Sequence, residues 1–385
     1  MQKKTVAVVF GTRPDTIKMA PIILELQRHP RQFNVVTIAT AQHRQMLDQV
    51  LDVFHIRPDV DLNIMQPRQT LAGITQNTIA ALDRVLADAA PSMVLVQGDT
   101  TTTFVGSLAA FYRRIPVGHV EAGLRTHDKA NPFPEEINRR LTSVIADYHF
   151  APTDTARKAL LREGFPRERV FVTGNSVIDA LRLAVRKEHT FSIPEVQEVM
   201  ARGRKVLLIT MHRRENWGAP MQAAARAVRR IAERFPDLQV VFPVHLNPVV
   251  REAVTPILDG RDNVLLTQPL DYLDFVNVLA RSYLVLTDSG GVQEEGPALG
   301  KPILVLREVT ERPEAVAYGT VKLVGLNEDR IVRAARTLLE SPRAYRAMAT
   351  ATNPYGDGRA ARRTVGIIRN ALGFARTLPQ PFRPR

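Results

Sequence analysis

The sequence predicts an α/β fold made of two Rossmann-like halves, each a parallel sheet flanked by helices. Three observations lead there. The chain has 385 residues, enough for about two domains of ordinary size. Short apolar runs of buried-strand character alternate with helix-length segments along most of its length. Several of those runs end in a glycine-led turn before the next helix, where open α/β sheets bind their ligands.

Composition narrows the class. Hydrophobic residues make up 45% of the chain, an ordinary share for a globular core. The sequence contains no cysteine, which excludes disulfides, zinc–thiolate sites, iron–sulfur clusters and thiol nucleophiles, and fits a reducing compartment. The early apolar run 5–10 is too short for a signal peptide, and no run is long enough to cross a bilayer. A cytoplasmic protein without membrane insertion is expected. The formal net charge of +13 raises the possibility of a nucleic-acid partner. However, Arg202, Arg226, Arg229, Arg230, Arg333, Arg343, Arg362 and Arg363 are scattered, with no interleaved aromatic residues to stack on bases. Solvated basic helix faces plus a few phosphate ligands explain the charge better, and no nucleic acid is expected.

Taken in order, residues 6–10 form the first strand. Gly11 opens a turn, Pro14 suits a first helical turn, and an apolar helix pattern runs through Met19, Ile22, Ile23 and Leu26. Arg13 and Lys18 fall near that turn and are either surface cations or anion ligands. Residues 33–39 form the second strand. Helices then begin near Ala41, with Gln42, His43, Arg44 and Gln45 at the mouth, and after Arg68 and Gln69, with Thr70 as N-cap. The strand 93–97 runs into Gly98-Asp-Thr-Thr-Thr-Thr, where Asp99 either caps the next helix or acts on a ligand.

A strand at 116–120 leads to Glu121, and Asn131-Pro-Phe-Pro leads to Glu135 and Glu136 at a helix start. Asp99, Glu121 and Glu135 thus sit at strand ends or loops of one half. They either work as an acid–base set, with pKa values raised by crowding and burial, or pair with Arg125, Arg139 and Arg140. After a strand at 148–151 the pattern changes near residue 172, the expected domain boundary.

The second half repeats the alternation, with strands near 206–210, 239–243, 264–266, 284–287 and 303–306. His212 and Arg213 follow the first of these and either bind phosphate or play a structural part; His245 follows the second. Phe275 either faces a base or fills the core. The most informative stretch is Asp288-Ser-Gly-Gly-Val-Gln-Glu-Glu, between two apolar runs. Gly290 and Gly291 allow close backbone approach, and the helix that follows offers unpaired N–H groups to an anion. Glu295 lies one turn further, within reach of ribose hydroxyls. Ser289 as a plain N-cap is the alternative. Arg312 is a candidate phosphate clamp. A helix at 359–374 and a Pro/Arg-rich tail, expected to be disordered, end the chain.

Together, Phe10-Gly-Thr-Arg-Pro, Gly98-Asp-Thr-Thr-Thr-Thr, Gly118-His-Val-Glu-Ala-Gly-Leu-Arg-Thr, His212-Arg-Arg-Glu-Asn, Pro243-Val-His-Leu-Asn-Pro, Asp288-Ser-Gly-Gly-Val-Gln-Glu-Glu, Thr310-Glu-Arg-Pro-Glu and Asn353-Pro-Tyr-Gly-Asp-Gly closely resemble the bacterial non-hydrolysing UDP-N-acetylglucosamine 2-epimerases. The match runs from about residue 6 to about residue 372. The resemblance implies the glycosyltransferase-B arrangement, with two Rossmann-like domains facing across a cleft. The expected domains are 1–172 with a returning helix at 359–376, and 173–358, leaving 377–385 as the tail.

It further implies a homodimer that interconverts UDP-N-acetylglucosamine and UDP-N-acetylmannosamine through a 2-acetamidoglucal, with no metal or other cofactor. Implied catalytic residues are Asp99, Glu121, Glu135 and His212. Implied UDP or sugar ligands are Arg13, Lys18, His212, Phe275, Ser289, Gly290, Gly291, Glu295 and Arg312. A second, activating UDP-N-acetylglucosamine site is implied by Gln42, Gln45, Arg68, Gln69, Glu136, Arg213 and His245. Asp15 where Glu is usual, Gln97 where His is frequent, and Asn131 and Phe133 near the sugar end are mild departures from the pattern. A UDP-sugar glycosyltransferase of the same fold and the hydrolysing type of epimerase are the competing readings.

Overall fold

The computed structural model describes residues 2–40, 44–64 and 69–384. The chain forms two compact units. One comprises the residues up to Leu183 together with Tyr355–Pro384; the other is Ala184–Pro354.

The first unit holds seven strands: β1 (Lys4–Phe10), β2 (Phe33–Ala39), β3 (Val60–Asp61), β4 (Met93–Gln97), β5 (Val117–Val120), β6 (Tyr148–Ala151) and β7 (Val170–Val172). Their order is β3-β2-β1-β4-β5-β6-β7, and the described pairs are parallel. Helices on both faces explain the unbroken apolar runs: Val6 to Phe10 are all buried, as are all five residues of β4. Ala7, Val9, Ile38, Leu82, Val94 and Val96 meet in one core cluster. The winding reverses between β1 and β4, so the loops at their carboxyl ends, bearing Gly11 and Gly98, diverge and leave a crevice.

The second unit holds β8 (Val206–Thr210), β9 (Gln239–Pro243), β10 (Val264–Thr267), β11 (Leu284–Thr287), β12 (Ile303–Val305) and β13 (Val321–Leu323). Their order is β10-β9-β8-β11-β12-β13, again parallel. Here the switch point lies between β8 and β11, below His212 and Ser289.

Three short strands escape the sequence pattern: β3 has two residues and β7 and β13 three each, too few for a period to register. The boundary also differs from the expected residue 172. Helix Ser176–Ala184 buries Ile178 and Leu181 within the first unit, which therefore extends to Leu183. The chain returns at Tyr355, and helix Ala360–Ala371 packs on helix Arg13–Gln27 of that unit. Asp179 ties the return down, its two oxygens accepting the Ala360 and Ala361 amides at 3.1 and 2.9 Å.

The tail is not the disordered segment its composition suggests. Phe382 is buried, its amide donates to the Val172 carbonyl at 2.8 Å, and the Arg363 guanidinium lies over its ring. One aromatic anchor outweighs the polar composition around it. No helix among the described residues is long and apolar enough to cross a membrane.

Candidate active site

In the first unit the site starts where β1 becomes helix Arg13–Gln27. A Cβ on Gly11 would lie 2.2 Å from Thr40 Oγ1 and 2.6 Å from Thr102 Oγ1, so only glycine passes between these two buried hydroxyls. Asp15 closes the helix start: its carboxylate accepts the Gly11 and Thr12 amides at 3.4 and 3.2 Å and the Thr12 hydroxyl at 2.5 Å. Burial pushes the Asp15 carboxyl up to about 6 against these hydrogen bonds, and the nearby Asp99 charge adds to the rise. Arg13 is half-buried and has no ion-pair partner among the described residues.

Lys18 reaches Glu121, its Nζ donating to both carboxylate oxygens at 2.6 Å. Glu121 follows β5 in a left-handed conformation, φ +64°, which directs its side chain back among strand ends. Gln97 Nε2 donates to Oε2 at 2.5 Å and Asn175 Nδ2 to Oε1 at 2.9 Å. Three strand ends, those of β4, β5 and β7, therefore converge on one carboxylate.

Asp99 is not the helix cap; Thr100 is, its hydroxyl accepting the Thr103 amide at 3.3 Å. Arg139 donates to Asp99 in a short ion pair, and Asn138 Nδ2 donates to the Asp99 carbonyl at 3.0 Å. Low-dielectric surroundings nevertheless hold the Asp99 carboxyl above its ordinary range; the Arg139 charge opposes that rise and the Glu121 charge reinforces it. Of the three arginines suggested as ion-pair partners, Arg139 takes that part, whereas Arg125 pairs with Glu163.

Glu135 opens helix Glu135–Ile145, and its Oε2 is buried without a hydrogen-bond partner among the described residues. Its neighbour Glu136 is fully buried and accepts the Thr126 and His127 amides at 3.0 and 3.2 Å, besides Arg139 at 3.3 Å. Behind these groups lie two buried imidazoles. Burial pushes His119 down to about 3 and His149 down to about 4, so both are neutral.

In the second unit the organising group is Asp288, fully buried just after β11. It accepts the His212 and Arg213 amides, each at 3.0 Å, and Asn216 Nδ2 at 3.0 Å, while His212 Nδ1 lies 3.0 Å from its other oxygen. Burial alone would raise this carboxyl; the His212 imidazole and the amides outweigh it and hold it below its ordinary range. The His212 ring is half-exposed and stacks at 6.4 Å from His245. The sequence marked Asp288 only as the start of the glycine turn; its position immediately after an apolar strand was the signal of a paired carboxylate.

Ser289 is half-buried, and its amide donates to Thr287 Oγ1 at 2.9 Å. The space where a Gly290 Cβ would point is open to 4 Å, leaving that backbone approachable. Helix Val292–Ala298 follows, and Glu295 is buried one turn in, its Oε2 3.8 Å from where a Gly291 Cβ would be. Arg312 makes a short ion pair with the buried Glu294, whose carbonyl also accepts Asn353 Nδ2 at 3.1 Å. Phe275 is half-buried on helix Tyr272–Arg281.

The residues expected to form a regulatory site are described each within its own unit. Gln42 and Arg68 lie outside the described residues, and only the backbone of Gln45 is described, in helix Arg44–Val53. Gln69 Nε2 donates to the Ile64 carbonyl at 2.6 Å. Arg213 lies 3.4 Å from both Glu215 and Glu311, and His245 Nδ1 accepts the Asn247 amide at 3.1 Å.

The chain can be set beside known proteins. A model of the family UDP-N-acetylglucosamine 2-epimerase matches residues 24–369. The UDP-N-acetylglucosamine 2-epimerase of Bacillus subtilis is 55% identical over 382 residues, covering 99% of each chain. That of Escherichia coli K12 is 52% identical over 371 residues, covering 95% of this chain and 98% of its own. Among solved structures, the UDP-GlcNAc 2-epimerase of Neisseria meningitidis bound to UDP-GlcNAc aligns with a TM-score of 0.84 at 50% identity, covering 94% of this chain and 99% of that one.

Proposed function

The chain belongs to the UDP-N-acetylglucosamine 2-epimerase family, and from that premise we propose that it interconverts UDP-N-acetylglucosamine and UDP-N-acetylmannosamine by eliminating and re-adding UDP. The hydrogen at the sugar's C2 has no neighbouring carbonyl to acidify it. Removing it becomes feasible when the C1–O bond to UDP breaks as the proton leaves: the C2–H electron pair becomes a C1=C2 double bond, UDP departs with the C1–O pair, and a 2-acetamidoglucal remains. Protonation of C2 from the other face and return of UDP to C1 complete the inversion. Both fragments stay bound throughout, which makes the reaction non-hydrolysing.

The observation that best supports this reading is the group of charged side chains at the ends of β1, β4 and β5. Lys18 is bonded to Glu121, Arg139 to Asp99, and Glu135 keeps a buried oxygen without a partner among the described residues. Carboxylates in such surroundings suit proton transfer and the stabilisation of an oxocarbenium-like centre. Arg13 and Lys18 supply positive charge for the departing diphosphate. In the second unit, Ser289, Gly290 and Gly291 hold phosphate, Glu295 the ribose hydroxyls and Phe275 the uracil. Arg312, anchored by Glu294, and His212, anchored by Asp288, serve the diphosphate and sugar.

Incubation with UDP-N-acetylglucosamine in heavy water, followed by NMR, tests the proposal. The expected result is deuterium at C2 together with UDP-N-acetylmannosamine, with no added cofactor. Retention of the C2 proton, or release of free N-acetylmannosamine, would overturn it.

Two further parts belong to the same reading. A second UDP-N-acetylglucosamine molecule activates the enzyme through the set that includes Gln69, Arg213 and His245, so the rate rises sigmoidally with substrate. The protein is a homodimer, supported by the exposed apolar side chains of Phe111, Tyr112, Leu141 and Val144 on the two packed helices Thr101–Tyr112 and Glu135–Ile145.

A further inference from the structure

Glu121 has a coordination that its neighbours in the acidic set lack. Among the described residues its two oxygens receive at least four hydrogen bonds, two from Lys18, one from Gln97 and one from Asn175. A carboxylate has about four acceptor positions, so this one is filled. All three partners are donors only at the atoms concerned. Asn175 is fixed in that sense, because its Oδ1 accepts the Val177 amide at 3.0 Å, leaving Nδ2 to face Glu121. Its backbone amide is also tied, to the Tyr355 carbonyl at 2.6 Å, and both Asn175 and Gln97 are buried. A proton on Glu121 would point at an N–H or an ammonium wherever it sat.

The geometry points to a division of labour in the acidic set: Glu121 is a permanently ionised counter-charge that fixes Lys18, Asn175 and Gln97 are positioning residues that lock it, and the travelling proton is left to Asp99 and Glu135. The inference rests on the epimerase reading for its kinetic consequence and on hydrogen bonding for its structural one. Glu135 fits the mobile part because its buried Oε2 has no partner among the described residues. Among the described residues, the charged or titratable groups around Glu121 include Lys18 on the first helix, Asp99 after β4 and His119 on β5. Among these, His119 is neutral and turned to the Gly98 carbonyl at 2.7 Å, whereas Lys18 is a cation in direct contact. Two neutral amides therefore help to hold the Lys18–Glu121 pair in place.

Carbon-13 NMR of the full-length protein with labelled glutamate, assigned by Glu121→Gln, reads the protonation state without relying on activity. The expected result is a Glu121 signal of the ionised form across the whole active pH range. In Asn175→Ala, and independently in Gln97→Leu, its titration moves upward, kcat falls about tenfold to a hundredfold, and KM changes less. The acid limb of the kcat profile moves up with it, a change that mere loosening of the fold would not produce. A wild-type Glu121 that takes up a proton within the active range would overturn the inference. So would variants that leave both titration and kcat unchanged. If the wild type exchanged no C2 proton while Glu121 stayed ionised and responded to the variants, the epimerase reading would fall and the lock would stand.

Discussion

His212 rests on Asp288: imidazole Nδ1 and carboxylate Oδ1 are 3.0 Å apart, and the same carboxylate accepts the amides of His212 and Arg213. One buried group thereby sets both the ring's orientation and the path of the chain leaving β8. Asp288→Asn keeps the shape and loses the charge. We expect a loss of about 1–3 kcal/mol in stability at neutral pH, measured by chemical denaturation. The folded state holds this carboxyl below its ordinary value, so the ionised group stabilises the fold above pH 3.8. The difference between wild type and variant should therefore shrink as the pH falls below that value.

Asp179 behaves in the opposite sense. Burial raises it from 3.8 to about 6 even though it accepts the Ala360 and Ala361 amides. Between those two values the native state keeps a proton that the unfolded chain has lost, so stability from this group declines as the pH rises. Asp179→Asn should remove that dependence, and its stability difference from the wild type should change mainly between pH 4 and 6. An unchanged difference over that interval, in denaturation curves at closely spaced pH values, would count against the assignment.

Glu135 should be a kinetic residue and a minor structural one. Glu135→Gln preserves size and removes the carboxylate proposed to take the proton. A fall in kcat of about a hundredfold or more is expected, with near-normal UDP affinity by calorimetry. Wash-in of deuterium at C2 should fall with it.

Gly11→Ala tests the close approach after β1. The added methyl would meet Thr40 Oγ1 at 2.2 Å and break its 3.1 Å hydrogen bond with Thr102 Oγ1. The expected cost is about 1–3 kcal/mol, read as a lowered melting temperature. The same change at Gly290, where 4 Å around the new atom is clear, should leave stability nearly unaltered and weaken UDP binding instead.

Val144 is 74% exposed on helix Glu135–Ile145 beside Leu141, far more than an apolar residue needs to be. Val144→Glu should leave the monomer folded and shift sedimentation from dimer to monomer. If the wild type sediments as a monomer at micromolar concentration, the dimer proposal fails.

The sequence was most readable where one strong pattern dominated. The residues of β1, β4, β8 and β11 are buried almost throughout, so they stand out as unbroken apolar runs, and the turns after β1, β4 and β11 are marked by Gly11, Gly98 and Gly290. Candidate groups such as Asp99, Glu121 and His212 could be found because polar residues directly after such runs need a reason to be there. Their partners could not. Gln97 and Asn175 are ordinary amides until three strand ends bring them to the same carboxylate, 24 and 54 residues away from Glu121 in the chain. Glu136, next to Glu135 in sequence, faces inward and accepts the amides of residues 126 and 127, contacts that its place at a helix start does not reveal. The boundary expected near residue 172 falls short of the unit's edge because helix Ser176–Ala184 follows a change in local pattern, whereas its attachment depends on residues made much later, Ala360 and Ala361.

That last attachment has a consequence for biosynthesis. The second unit is one continuous stretch, Ala184–Pro354, whereas the first needs Tyr355–Pro384 to cover helix Arg13–Gln27. As the nascent chain leaves the ribosome, the half begun first is the half finished last. Until the closing helix emerges, Asp179 has no amides to receive and the apolar flank of that helix stays open to chaperones.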